Sequence, residues 1–237
     1  MSAILEAKGL TVGYGTLAVA RELNFRVEPG RVTLILGPNG AGKTTTLMTL
    51  AGALRPLSGE VRLAGECVTT PLHKRVQQGL AFVRDERGAI TRLTVDENLR
   101  LGPGDPARAF ELFPELKDHR KRRAGLLSGG QQKMLALAVA LSGKPRVLLC
   151  DELSLGLAPR LVDRLLDVAR AAAGDGVAVV LVEQHAHQAL DIADDVVLLA
   201  HGRIEMSGPV SALRADLDRV LAGGYLATSG QATTPPV

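Results

Sequence analysis

The stretch RVTLILGPNGAGKTTTLMTLAGAL, residues 31–54, limits the possible folds more than any other part of this chain. An apolar run, RVTLILG, leads straight into a glycine-rich turn, and a helix-favouring run follows. Residues 37–44 read G-x-x-x-x-G-K-T, the pattern of a phosphate-binding loop in its strand-then-helix context. Glycines without a Cβ let backbone N–H groups converge on phosphate oxygens, and the helix N-terminus adds a favourable field. The predicted nucleotide-binding residues are Gly37, Pro38, Asn39, Gly40, Ala41, Gly42, Lys43, Thr44 and Thr45. In this chemistry Lys43 reaches the terminal phosphates and the Thr44 hydroxyl binds Mg²⁺.

RVLLCDE, residues 146–152, is the natural companion of that loop. An apolar strand delivers Asp151 and Glu152 at its C-terminal end, where α/β sheets bind ligands. Asp151 suits Mg²⁺, directly or through water. Glu152 suits orienting or deprotonating an attacking water and is read, with Lys43, as catalytic.

The rest of the chain alternates around these two strands. From 128 onward the periodicity predicts a helix over 129–142, strand 146–150, helix 159–173, strand 177–182, helix 185–192 and strand 196–200. Strands this apolar, separated by helices, imply a parallel sheet covered on both faces. HGRIEMSG, 201–208, reads as a hairpin return. Near the start, ILEAKGLTVGYG and LNFRV read as antiparallel strands, with further strands at 60–65 and 80–83. Between them lies a different texture. Thr94 and Glu97 form a capping box, GPGDP breaks the helix, ARAFELF is a second short helix, and KDHRKRR, 117–123, is a charged connector. The expected fold is therefore α/β, with a mainly parallel core sheet, N-terminal antiparallel β strands and an inserted helical lobe. The expected division is a core from 1–84 and 128–225, a helical subdomain 85–127 and a disordered tail 226–237.

Composition narrows the class. Hydrophobic residues make up 46% and aromatics only 3%, so the core must be aliphatic. A net charge of +3 is too weak to argue for nucleic acid, and no nucleic-acid partner is expected. Cys67 and Cys150 lack metal-ligand spacing and are expected to be buried free thiols. MSAILEAKGL has no secretory pattern, and the longest apolar runs are too short to cross a bilayer. A cytosolic chain that meets a membrane only through a partner is the expectation.

LLSGGQQKML, 126–135, then raises a problem. Ser128 is a good N-cap, and Gly129 and Gly130 leave backbone N–H groups uncovered, which makes a second anion site. One domain has little use for two sites facing one nucleotide. The economical explanation is that the second site serves the ATP of a partner subunit in a head-to-tail pair.

With LSGGQQ set between a phosphate loop and an apolar-strand Asp-Glu, the chain resembles the ATP-binding cassette (ABC) transporter ATPases over about residues 4–225. The resemblance implies a P-loop NTPase fold and two subunits sandwiching two ATPs. Ser128, Gly129, Gly130 and Gln131 would be the signature motif facing the partner's ATP, and Tyr14 the aromatic that stacks on adenine. RLTVDENL, ELFPEL, RAGLLSGGQQ, DELSLGLAP and LVEQHAHQAL are similar to the ATPase subunits of branched-chain amino-acid importers and of related urea or amide importers. That implies a second ABC ATPase subunit, identical or paralogous, transmembrane permease subunits docked on the helical lobe, and indirectly a solute-binding protein. The chain would sit peripherally on the inner face of the membrane. SLGLAP, 154–159, would link Glu152 to the opposite subunit.

The chain departs from the family pattern at named positions. Asp85 stands where the family has Gln and the branched-chain group has Glu; it reads equally as a residue holding a water on the metal and as a hinge charge. Gln184 stands at the switch-His position and would donate to a γ-phosphate, while His185 falls one step further on. Leu153 replaces the usual Pro after Asp-Glu. The basic run 119–123 reads mainly as a solvated connector. Rival classes are a soluble ABC ATPase acting on nucleic acid, a P-loop GTPase or kinase, and a low-turnover regulatory module. The first lacks tandem cassettes here, and the second lacks an Asn-Lys-x-Asp motif.

Overall fold

Pairing of strands Leu5–Tyr14 (β1) and Leu17–Val27 (β2) begins the structure, a computed structural model that describes residues 3–84, 88–183 and 186–222. The two strands form an antiparallel hairpin in register from Leu5–Val27 to Tyr14–Leu17. Ser58–Leu63 (β4) adds antiparallel to the other edge of β1, and the two-residue strand Glu66–Cys67 (β5) follows it. Cys67 is exposed on that edge strand, which corrects the expectation of two buried thiols; Cys150 is buried.

The second sheet has six strands. Val32–Leu36 (β3), Leu80–Val83 (β6), Val147–Asp151 (β7), Ala178–Val182 (β8) and Asp195–Ala200 (β9) run parallel, and Arg203–Pro209 (β10) returns antiparallel on the β9 edge. Their order is β10-β9-β3-β8-β7-β6. Every residue of β3, β7 and β8 is buried. The two-residue period of a strand sends alternate side chains to opposite faces. Leu34, Leu148, Cys150, Val179 and Leu181 enter one core, while Ile35, Val147, Leu149, Val180 and Val182 enter the other. Continuous apolar strands are the consequence of two covered faces.

The helix Lys43–Ala51 (α1) follows β3 and packs with the N-terminal sheet in the second core through Leu47, Leu50 and Ala51. It stops at Gly52, whose left-handed φ of 80° turns its N–H back onto Met48 and Thr49 carbonyls. Arg75, on the short helix Leu72–Gln77 (α2), is buried and donates to the carbonyls of Thr49, Leu50, Val68 and Thr70. A cation against the last carbonyls of α1 is the favourable arrangement for a helix C-terminus.

Between β6 and β7 the chain is helical. Val95–Leu101 (α3) starts on the complete Thr94–Glu97 capping box, and Pro106–Leu112 (α4) starts on Asp105 with Pro106 at its first position. Part of the stretch read as a charged connector is ordered as a 3₁₀ helix, Pro114–His119, because Pro114 begins it and Leu116 is buried beneath it. Asn98 is also buried, and its side chain accepts from the Ile90 N–H at 2.7 Å and donates to the Ile90 and Thr94 carbonyls at 3.1 and 2.9 Å.

Gly129–Ser142 (α5) and Pro159–Gly174 (α6) cover the first core, so α5 and α1 lie on opposite faces of the six-stranded sheet. Ala186–Ile192 (α7) precedes β9, and Val210–Ala222 (α8) follows β10. Helices α2 and α8 and strand β5 were not expected from the sequence pattern. The stretch 226–237, read as a disordered tail, lies outside the described residues. Among the described residues no helix is long and apolar enough to cross a membrane.

Candidate nucleotide site

Strands β3 and β7, two places apart in the sheet, deliver the phosphate-loop stretch and Asp151 from the same end, because parallel strands share a direction. The loop between β3 and α1 takes a shape that only glycine permits at its ends. Gly37 has a φ of 152°, and a Cβ there would lie 2.0 Å from the Leu199 carbonyl oxygen. Gly42 caps α1 with a φ of 100°, its Cα side pressed against Ala20 and Val19 of β2. Asn39 and Gly40 stand exposed at the crest.

Lys43 folds back under this loop. Its residue is only 5% exposed, and Nζ donates to the carbonyls of Gly37 at 2.7 Å and Pro38 at 3.0 Å. Burial, the largest influence, lowers the pKa of this ammonium from the ordinary lysine value; the nearby Glu152 and Asp151 carboxylates oppose that. The lysine is therefore already within electrostatic reach of both acids. Thr44 is half-buried, and its hydroxyl donates to Asp151 Oδ1 at 3.0 Å. Thr45 and Ala41 are buried supports of the turn, and the Thr45 carbonyl accepts from Thr49.

A hydroxyl and a buried carboxylate meeting beside a loop of backbone donors fit Mg²⁺ carried in on phosphate oxygens. Mg²⁺ takes hard oxygen ligands and usually keeps waters and substrate oxygens rather than a full protein cage. Among the described residues no cluster of three or more His, Cys, Asp or Glu side chains that could hold a metal occurs.

Glu152 is half-buried directly after β7 and has a φ of 51°, in the left-handed region. Its N–H donates to the Val182 carbonyl at 2.9 Å, and its carbonyl accepts from Lys133 Nζ on α5. Leu153, at the usual proline position, is buried in the first core. Ser154 is buried next to Glu183, which is 1% exposed at the end of β8. Glu183 accepts the Ser154 N–H on Oε1 at 3.1 Å and the Ser154 hydroxyl on Oε2. Burial pushes the Glu183 carboxyl up to about 7, against the Ser154 hydrogen bonds and the charge of Lys133. Sequence reasoning gave neither Glu183 nor Lys133 a role. The available signal was a carboxylate ending an all-apolar strand.

Tyr14 is 51% exposed at the tip of the β1–β2 hairpin, opposite Leu17. The same hairpin touches the loop at Gly42 through Val19 and Ala20. Ser128 caps α5 and forms a full capping box with Gln131, whose amide also meets His119 at 2.8 Å. Gly129 is exposed, and a Cβ there would make an ordinary contact with the Leu157 side chain at 4.0 Å, whereas a Cβ on Gly130 would press on the Leu161 side chain. Asp85, Gln184 and His185 lie outside the described residues.

The profile of the ABC transporter family matches residues 20–154. The chain is 40% identical over 210 residues to the high-affinity branched-chain amino acid transport ATP-binding protein BraG of Pseudomonas aeruginosa, covering 84% of this chain and 90% of that protein. It is 34% identical over 221 residues to the probable branched-chain amino acid transport ATP-binding protein LivF of Archaeoglobus fulgidus, covering 89% and 94%. Its fold superposes on a nucleotide-free ATP-binding cassette from an ABC transporter with a TM-score of 0.84 at 23% identity, covering 97% of this chain and all of that one. The matched span runs from β2 through the phosphate loop to Asp151 and Ser154, and this chain belongs to the ABC transporter family.

Proposed function

We propose that this chain is the ATP-binding and ATP-hydrolysing subunit of an importer for branched-chain amino acids or closely related small amides. The observation that carries the reading is the meeting of Lys43, Thr44, Asp151 and Glu152 at one end of the parallel sheet. The solute class rests on likeness to BraG and LivF.

In this reading the backbone N–H groups of residues 39–45 bind the phosphates of ATP, and Tyr14 stacks on the adenine. Lys43 exchanges its loop carbonyls for phosphate oxygens. Thr44 and Asp151 hold Mg²⁺, which when bound supplies positive charge to the phosphoryl oxygens. Glu152 orients the attacking water and takes its proton.

Two anion sites on opposite faces of one sheet favour two nucleotides. The turn Ser128–Gly130 of each subunit then holds the γ-phosphate bound on the partner's loop, in a head-to-tail pair of identical or paralogous chains. Loss of that phosphate on hydrolysis releases the pair. Permease subunits dock on the helical region 85–127, where Ile90 and Leu101 expose large apolar side chains and an apolar groove runs along β6 past Phe82 and Val139. This docking holds the chain on the inner membrane face.

Glu152→Gln tests the assignment. The variant is expected to bind ATP, to form a stable dimer with it in size-exclusion chromatography with light scattering, and to lose about 10²–10⁴-fold in turnover. Turnover at the wild-type rate refutes the reading. Co-purification with a permease pair, with ATPase stimulated by a loaded leucine-binding rather than urea-binding protein, tests the solute.

A further inference from the structure

The backbone at Glu152 sits where a side-chain-bearing residue is strained, with a φ of 51°. Such a conformation persists only where the surroundings hold it in place. Contacts from the end of β8 and from α5 do so here. The Val182 carbonyl of β8 takes the Glu152 N–H. Lys133 Nζ of α5 donates to the Glu152 carbonyl. Ser154, two residues on, is bound through both its N–H and its hydroxyl by Glu183.

Of these, the Lys133 contact comes from the helix that the Ser128 cap begins. Lys133 lies little more than one turn beyond the Ser128 cap on a helix of 14 residues. A helix moves as a rod, so whatever displaces the turn 128–130 displaces the Lys133 ammonium too. A lysine suits this span because a long apolar stem carries a strong donor to a carbonyl acceptor.

We propose that Lys133 is a positioning residue for Glu152, transmitting the state of the Ser128–Gly130 turn to the water-orienting carboxylate of the same chain. The inference rests on the head-to-tail reading above. In that pair the turn senses ATP on the partner's loop, whereas Glu152 acts on ATP held by its own loop. Lys133 therefore couples the two nucleotide sites, and occupation of one aligns the catalytic group of the other.

The test compares Lys133→Met, which keeps the stem and removes the donors, with Lys133→Arg, which restores a cationic donor. ATP hydrolysis is measured against ATP concentration, with ATP affinity followed separately by a fluorescent analogue. For Lys133→Met, kcat is expected to fall about ten- to a hundredfold while KM and affinity stay within about twofold. Its Hill coefficient should fall from near the two-site limit of about 2 towards about 1. Lys133→Arg should recover most of both losses. A Lys133→Met kcat within about twofold of wild type, an unchanged Hill coefficient, or a rise in KM matching the fall in kcat overturns the proposal. So does failure of Lys133→Arg to rescue. The underlying reading is judged separately: if Glu152→Gln fails to dimerise on ATP, both fall, and if it dimerises while Lys133→Met matches wild type, only the role of Lys133 falls.

Discussion

The Thr44 hydroxyl lies 3.0 Å from Asp151 Oδ1, a contact that joins the first turn of α1 to the end of β7 across 107 residues of sequence. Neither residue alone makes a metal site, but a hydroxyl and a carboxylate oxygen side by side suit the proposed cation arriving on a phosphate chain. Isothermal titration of ATP with Mg²⁺ and with EDTA checks this. Wild type should bind at least about tenfold more tightly with Mg²⁺, a difference of about 1.4 kcal/mol. Thr44→Val and Asp151→Asn should each erase most of that difference while leaving Mg²⁺-free binding nearly as it was.

Lys43 tests the loop itself. Its ammonium is held by two loop carbonyls and flanked by two carboxylates, which oppose the lowering effect of burial. Lys43→Met should weaken ATP binding about a hundredfold, the loss of roughly 3 kcal/mol of charge-assisted hydrogen bonding. A fluorescent ATP analogue reads this directly, and wild-type affinity in the variant would remove Lys43 from the site.

Glu183 gives the protein a pH-dependent stability. Its carboxyl is raised from an ordinary 4.5 to about 7, so between those values the folded chain binds more protons than the unfolded one. Stability from this group is therefore fully present below about pH 4.5 and is lost as pH rises through about 7, by about 3 kcal/mol in all. Gln keeps an acceptor for the Ser154 N–H and carries no charge. Between about pH 5 and pH 8, wild type should lose about 5–10 °C more in melting temperature than Glu183→Gln. Parallel melting curves would contradict this.

Asn98 governs stability rather than chemistry. Its amide serves both backbone groups of Ile90 and the Thr94 carbonyl in a buried setting. Asn98→Ala leaves those groups without their partner and should destabilise the protein by about 2–3 kcal/mol. In urea denaturation the midpoint should fall with an unchanged slope, whereas ATP affinity should stay near wild type because Asn98 lies in the helical region rather than at the loop.

What could be read in the sequence was local. The phosphate loop is legible because only glycine tolerates the backbone at Gly37 and Gly42. The Thr94–Glu97 box is legible because both of its hydrogen bonds span three residues. The strands of the core sheet are legible because two covered faces demand unbroken apolar runs. By contrast, α2 escaped notice because its one buried side chain is Arg75, so it presents no apolar stripe. Helix α8 buries only Val210 and Leu217, too few to mark a period. The exposed Cys67 was misjudged because nothing near it in sequence says that its strand ends a sheet.

The sequence by itself thus determined most of the elements, the loop that suits phosphate and the second glycine turn, since each depends on torsions and hydrogen bonds within a few residues. Tertiary structure alone decided which elements become neighbours. It brought Thr44 to Asp151, laid α1 and α5 on opposite faces of one sheet, and set Lys133 on the Glu152 carbonyl and Glu183 under Ser154. Those contacts arise from burying two aliphatic cores at once, and the order of strands that achieves this is a property of the whole chain.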